Sequence, residues 1–489
     1  MTVSARVGGD GYLYDRVTRH ILDLVEKGTL KPGDRAPSLR GLSKQLRVSI
    51  STVSQAYAAL QELGVLRVRP QSGYFVDGQV SRQQGSRVPR KTTVSRQPRK
   101  VRFGELFDEI FSVANDPQVV PLGAAVPSVE LMPVKGLLRA TQRAASREPE
   151  HAVNYYFPPG HPGLRREIAR RYVDLGLSVD PENIIITSGC SEALSLSLQA
   201  VTRRGDIVAV ESPSYFSVLR LIERMGLLAV EIDSDPETGL CLDALESAIE
   251  TMDIKAVVAV LNFSNPVGSL MPDADKERLV GMLEQADIPL IEDDIHGDLH
   301  FGEQRPAIAK CYDRKGMVLT CSSFSKTIAP GYRIGWVIAD RYRNDVLELK
   351  HATSSAMCSL PQMAMADYLR SGEYDRHLVR QRSAYRMQVD KMRFMLAQHF
   401  PSGTRITEPQ GGFVLWVEMP RGIDALELLN RALRENISVT PGMMFSATRK
   451  FRNFVRINCG YPWDERIERA VVRLGELIAE LSAEQTGNR

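Results

Sequence analysis

Between Gly78 and Arg102 the chain reads GQVSRQQGSRVPRKTTVSRQPRKVR, with eight Lys or Arg, no Asp or Glu, and no apolar periodicity. A segment so poor in apolar side chains cannot offset the cost of ordering its backbone, and it has the composition of a flexible linker. It divides a 489-residue chain, already too long for one ordinary domain, into parts that must build separate cores. The patterns on either side place a first domain at residues 11–77, a basic linker at 78–118 and a large domain at 119–485.

Charge follows the same division. Residues 11–77 hold ten Lys or Arg against six Asp or Glu, and residues 1–10 are neutral. Since the whole chain carries +3, the remainder beyond Arg102 carries −9. A basic head on an acidic body points to a polyanionic partner for the head. Hydrophobic content of 43% and charged content of 25% describe a soluble globular protein. No apolar run approaches the roughly 20 residues needed to span a bilayer. The N-terminal MTVSARVGGDGYLYDRV lacks the apolar core of a signal peptide, so a cytoplasmic protein is expected. The cysteines, at 190, 241, 311, 321, 358 and 459, form no CxxC pair, which indicates neither a metal site nor a disulfide framework.

The head has the punctuation of a small helical domain with a hairpin. Residues 15–27 carry Val17, Ile21, Leu24 and Val25 on one helical face. LKPGDRAPS breaks that helix, and Ser38 can cap a short second one, LRGLSKQL. After a turn at Arg47 and Val48, Ser49 can cap a third, ISTVSQAYAALQELG, with Val53, Ala56, Tyr57 and Leu60 facing inward and Gly64 at its end. VLRVRPQSGYFV then reads as a two-stranded wing with its tip at residues 71–73. This order is a winged helix-turn-helix, whose second helix of the pair enters the major groove of double-stranded DNA. Ser49, Ser51, Thr52 and Gln55 are its exposed polar residues, able to bond bases or phosphates, and Arg40 can neutralise a phosphate. The segment PSLR followed by the V-S-x-x-T-V helix resembles the GntR-type winged helix. That resemblance implies DNA contacts from Arg40, Ser49, Ser51 and Thr52, and a wing contact near Gly73. Ile50 stands where relatives often carry arginine.

The body alternates short apolar runs, at 184–187, 207–210, 256–261, 289–291 and 317–320, with helical stretches. That is the pattern of a mostly parallel α/β sheet. Five motifs lie near the ends of these runs. SSFSKTIAPGYRIGW, residues 322–336, offers Lys326, an amine able to form a Schiff base with an aldehyde cofactor, and Ser323 and Arg333 for that cofactor's phosphate. ITSGCSEALSLSLQAV, residues 186–201, runs from strand through a glycine turn into a helix, making Gly189, Cys190 and Ser191 an anion cradle. In IPLIEDDIHGDLHF, residues 288–301, an acid at a strand end can keep a pyridine nitrogen protonated and make its ring an electron sink. Asn265 in NFSNPVG presents an amide, and Tyr215 in SPSYF can stack on a ring.

In order and spacing these motifs resemble the fold-type I aminotransferases that use pyridoxal 5'-phosphate (PLP). The resemblance implies that Lys326 carries the cofactor and Asp293 pairs with its pyridine nitrogen, with Asp294 the less favoured alternative. Asn265 would bond the ring hydroxyl, and Gly189, Cys190, Ser191, Ser323 and Arg333 would hold the phosphate. Tyr155, in NYYFPPGHPGLRREI, matches a tyrosine lent to the partner subunit's phosphate, and Arg456, in FVRINCG, matches the arginine that grips a substrate carboxylate. His296 stands where the family usually has tyrosine; a histidine there can donate a hydrogen bond but titrates near neutrality.

A GntR-type head on such a body is the arrangement of MocR-type regulators. The fold expected is therefore an N-terminal α+β winged helix-turn-helix, then a large α/β PLP-dependent transferase fold with a smaller C-terminal α+β subdomain. It implies a dimeric transcription regulator that senses PLP or an amino compound through Lys326 and Arg456. A working aminotransferase with a DNA-binding appendage is the rival reading, and a body that only dimerises is a third.

Overall fold

The computed structural model describes residues 13–26, 28–62, 64–69, 72–77, 88–91, 97–101 and 116–487. They form two compact units that divide between Arg87 and Val88, Phe301–Glu303 excepted. Gln71 at the expected wing tip, and most of residues 78–118, lie outside the described residues.

In the first unit α1 (Leu13–Glu26), α2 (Leu39–Leu46) and α3 (Ile50–Glu62) precede β1 (Leu66–Arg69) and β2 (Gly73–Val76). The first helix begins two residues before the expected Asp15. Ser38 caps α2, accepting from the Gly41 amide at 3.1 Å, and Arg47 ends it in the left-handed region. Val17, Ile21, Leu42, Val53, Ala56, Tyr57 and Leu60 are all fully buried. The Tyr57 hydroxyl donates to the Pro37 carbonyl at 2.7 Å, tying α3 to the segment before α2. The two strands pair antiparallel, Leu66 opposite Val76, as a wing requires.

The second unit is built on an eight-stranded sheet. In chain order its strands are β3 (Ile184–Thr187), β4 (Ile207–Ser212), β5 (Leu228–Asp235), β6 (Gly239–Leu240), β7 (Ile254–Ala259), β8 (Leu290–Asp293), β9 (Val318–Ser323) and β10 (Gly335–Ile338). Across the sheet they lie in the order β3, β10, β9, β8, β7, β4, β5, β6. The central pairs are parallel, while β10 runs antiparallel to both neighbours. Helices cover both faces, so the strands read as continuous Ile, Val and Ala runs rather than alternating ones. A four-stranded antiparallel sheet near the C-terminus joins β11 (Arg405–Ile406), β12 (Val414–Glu418), β13 (Thr440–Pro441) and β14 (Phe454–Asn458).

Part of the stretch read as flexible linker is fastened to this unit, which corrects that reading. Arg99 pairs with Ala229 on β5 through two backbone hydrogen bonds of 2.9 and 3.0 Å. The Arg90 amide donates to Glu418 at 3.3 Å, and Lys91 meets Asp235 at 2.7 Å. Pro89 and Val101 are buried. Composition could not show this, because the hydrogen bonds use backbone atoms and the edge of β5 is a partner far away in sequence.

Candidate functional site

The C-terminal ends of β4, β8 and β9, with the loop after β7, open onto a cavity of about 130 Å³. Ligands of open α/β sheets bind at such strand ends. Lys326, Asp293, Asn265, His296, Tyr215, Cys190, Ser191, Ser323, Arg333 and Arg456 all line it. Gly189 lies directly behind the cavity, as the N-cap of α4 (Cys190–Val201).

Lys326 Nζ donates to the Ala125 carbonyl at 2.7 Å. Burial, with Arg456 nearby, lowers its pKa to about 8, so a minor but far larger fraction than in an ordinary lysine is free amine near neutrality. Asp293 ends β8 and accepts from the Cys190 thiol at 3.3 Å and from the Ile295 amide at 3.2 Å. Burial raises its pKa to about 6, which leaves it mainly ionised at pH 7. Asp294 turns the other way: it accepts from Asn262 Nδ2 at 3.2 Å and pairs with Arg305. That pairing belongs to a separate, partly buried network with Asp298, Arg171 and Tyr374. Of the two acids, only Asp293 faces the cavity.

Arg456 is fully buried and reaches in from β14. It donates to Asn265 Oδ1 at 3.0 Å, to the Gly123 carbonyl at 2.6 Å and to Thr440 at 3.2 Å. Its guanidinium lies 5.2 Å from the ring of Phe445 and 5.7 Å from that of Phe216. Among the described residues no carboxylate pairs with it, and its Nε has no hydrogen-bond partner. A buried cation without a counter-ion is an anion site. Because arginine only donates, the Asn265 oxygen must face it, which leaves the Asn265 NH₂ for the cavity.

At the other end Arg333, in the left-handed region with φ 53°, donates to the Ser188 carbonyl at 2.9 Å and to Ser325 at 3.5 Å. Gly189 has φ 87° and ψ 172°, and a Cβ there would overlap the Arg333 guanidinium. Glycine is therefore required twice at this point, for its backbone and for its lack of a side chain. Among the described residues no side chain caps α4, which leaves its first amides for an anion. Ser325 was missed in the sequence, although it sits inside the same motif as Lys326. The segment 123–126, whose carbonyls hold Arg456 and Lys326, has no recognisable pattern at all.

His296 departs from expectation. Its Nδ1 lies 3.0 Å from the Phe263 carbonyl oxygen. A carbonyl only accepts, so Nδ1 carries the ring's proton. Burial, with Lys326 nearby, lowers the pKa to about 3. The ring is neutral across the physiological range and its only donor is spent, so it neither titrates near neutrality nor donates to the cavity.

An amine of lowered pKa, an ionised acid, a neutral amide and an anion cradle in one cavity fit PLP, with its aldehyde, pyridine nitrogen, hydroxyl and phosphate. The unpartnered Arg456 Nε fits a carboxylate beside it. Tyr155 is elsewhere: it is 75% exposed, and its ring lies 5.9 Å from that of Phe157, likewise exposed.

In the head, Ser49 caps α3 through the Thr52 amide at 3.0 Å, and its hydroxyl lies 2.7 Å from those of both Ser51 and Thr52. Arg40, Ser49, Ser51 and Gln55 are exposed, with Thr52 half-buried. Gly73 opens β2 with φ 98°, close to the Arg35 guanidinium. Ile50 is 48% exposed at the start of the helix.

Residues 117–474 match the family model for aminotransferase class I and II, and residues 13–76 match that for bacterial regulatory proteins of the gntR family. The uncharacterized HTH-type transcriptional regulator YjiR of Escherichia coli (strain K12) is 38% identical over 95% of this chain and 98% of its own. Among solved structures, the multiple substrate aminotransferase of Thermococcus profundus is 26% identical, with a TM-score of 0.73 over 78% of this chain and 96% of its own. LysN, the alpha-aminoadipate aminotransferase of Thermus thermophilus, complexed with N-(5'-phosphopyridoxyl)-L-leucine, is 29% identical, with a TM-score of 0.71 over 78% of this chain and 98% of its own.

Proposed function

The chain belongs to the aminotransferase class I and II family and joins that fold to a gntR-family DNA-binding region, as MocR-type transcription regulators do; from that premise we propose that it holds PLP on Lys326 and regulates transcription in response to an amine bound there. The observation that carries this reading is the convergence of Lys326, Asp293, Asn265 and Arg456 on one cavity, the last two 191 residues apart in sequence.

PLP, when bound, supplies an aldehyde for amines and a ring that withdraws electrons. The chain's own residues set the conditions for that. Burial and Arg456 keep the Lys326 amine partly unprotonated, which an attacking amine requires. Asp293 is ionised at pH 7 and can hold a proton on the pyridine nitrogen. Arg333, Ser323 and the first amides of α4 offer donors to a phosphate, and the Arg456 guanidinium offers a fork to a carboxylate. A carboxylate-bearing amine is therefore the favoured effector. Exposed Tyr155 matches a role at the phosphate of a second copy, which makes the protein a homodimer with two heads. Two heads read paired half-sites on double-stranded DNA, and an effector that favours one arrangement of the body shifts how they bind. The protein then works in the cytoplasm, on DNA.

The test is an absorbance spectrum of purified protein with PLP, followed by borohydride reduction and peptide mapping. A reduced adduct on Lys326 supports the reading, and a colourless protein without adduct sinks it. The same cavity residues would also serve transamination. Sustained multiple turnover of an amino acid and a 2-oxo acid would make the protein an enzyme, whereas spectral change without turnover marks a sensor.

A further inference from the structure

His296 is buried at the cavity and bonded through one of its two ring nitrogens. It follows β8 by three residues, is 1% exposed, and packs edge-on to Phe413 with ring centroids 5.6 Å apart. Its Nδ1 proton is committed to the Phe263 carbonyl. Phe263 is itself wedged in place, since a Cβ on Gly411 would stand 2.7 Å from its ring. The other ring nitrogen, Nε2, is buried and has no hydrogen-bond partner among the described residues. With the tautomer fixed by Phe263, Nε2 can only accept. Burial first, and then nearby Lys326 and Arg456, disfavour a second ring proton.

Among the described residues none of the cavity's own donors serves Nε2. Lys326 Nζ donates to Ala125, while the Arg456 Nη atoms serve Asn265, Gly123 and Thr440. PLP has two groups that can carry a donated proton beside its aldehyde and phosphate: the pyridine nitrogen, which suits ionised Asp293, and the 3-hydroxyl. The pyridine nitrogen is better served by a carboxylate, so the hydroxyl proton is the one left for Nε2, while the hydroxyl oxygen still accepts from the Asn265 NH₂. We propose that His296 is a positioning residue that presents a fixed acceptor to the 3-hydroxyl of PLP and so keeps that oxygen protonated. A tyrosine at this position would instead donate to the ionised oxygen. The inference rests on the reading of the cavity as a PLP site.

Lysine-bound PLP absorbs in two bands, at shorter wavelength when the 3-hydroxyl keeps its proton and at longer wavelength when the oxygen is ionised. The full-length protein, His296→Phe and His296→Tyr would be loaded with PLP and their spectra compared near neutral pH. The short-wavelength band should dominate in the wild type. The ratio of the bands should move toward the long-wavelength form in both variants, by about tenfold in His296→Tyr, the equivalent of about one unit in the hydroxyl's pKa. A wild type dominated by the long-wavelength band, or variants that bind PLP with an unchanged ratio, overturns the inference. Should the variants fail to fold, the wild type alone decides: an analogue with hydrogen in place of the 3-hydroxyl leaves Nε2 unpaired and should bind at least about tenfold more weakly than PLP. Equal affinity for the two overturns the inference while leaving the PLP site standing. Absence of any adduct on Lys326 is a separate result, which removes the PLP reading and this inference with it.

Discussion

Arg456 on the small C-terminal sheet holds Asn265 beside the large one, Nη1 to Oδ1 at 3.0 Å across 191 residues of sequence. One contact thus orients the amide meant for a ring hydroxyl and places the cation meant for a carboxylate. Arg456→Met keeps most of the apolar length against Phe445 and Phe216 but removes the fork. Affinity for a carboxylate-bearing amine should fall by about ten- to a hundredfold, as for loss of a charge-assisted pair. Affinity for amines without a carboxylate should change little. Spectral titration of the PLP-loaded protein measures both, and equal losses for the two classes would remove Arg456 from the proposed carboxylate site.

Capture of PLP should depend on pH through Lys326. Burial, then Arg456 and Arg333, lower the amine's pKa to about 8, with Asp293 opposing them. The reactive species is the free amine, so the capture rate should rise with pH through about 8 and then level off. Arg456→Met removes one of the depressing charges and should move that midpoint upward, slowing capture at pH 7. Stopped-flow absorbance at a series of pH values checks the direction; a midpoint that moves down contradicts it.

Gly189→Ala should damage the phosphate end selectively. The backbone there, φ 87° and ψ 172°, is nearly exclusive to glycine, and the added methyl meets Arg333. The strain is about 1–3 kcal/mol. Lowered thermal stability, together with at least about tenfold weaker PLP binding, is the expected pair of results. An unchanged dissociation constant would show that Arg333 and Gly189 do not form the cradle.

In the head, Arg40→Ala should weaken DNA binding for all sequences alike and reduce the slope of log K against log salt by about one. An unaltered slope would remove Arg40 from the phosphate contacts. Ser49→Ala differs in kind, because Ser49 also caps α3. It should cost about 1 kcal/mol in the stability of the head as well as affinity, which thermal unfolding separates from binding.

Asp298 joins Arg171, Arg305 and the Tyr374 hydroxyl beneath the cavity. Burial alone would raise its pKa, but Arg171 and Arg305 hold it well below the usual carboxylate range. A depressed folded-state pKa contributes stability that is fully present above about pH 4 and is lost as the pH falls further. Asp298→Asn should therefore destabilise by about 3–5 kcal/mol at pH 7, as when one partner of a buried pair is removed. The difference from wild type should shrink as the pH falls below about 4. Chemical denaturation at the two pH values tests it, and a pH-independent difference would count against the charge network.

Local chemistry explains how much of this was legible beforehand. The caps at Ser38 and Ser49, the inward set of α3 and the strands before Gly189 and Asp293 declare themselves through neighbours within one turn or one strand. His296 did not, because its role depends on which of its two nitrogens meets Phe263, 33 residues away. The preference for Asp293 over Asp294 came from the family resemblance, while its physical reason, Arg305 claiming one of two adjacent acids, appears only in the fold.

By itself the sequence determined that this chain folds as a basic winged helix-turn-helix and a large α/β unit with Lys326 at a strand end, since periodicity, caps and breakers act over a few residues. Only the tertiary structure decided the protonation, the donor direction and the free valence of each group in the cavity. Those follow from burial and from partners that the fold brings in from distant strands, and neither is written in the order of residues along the chain.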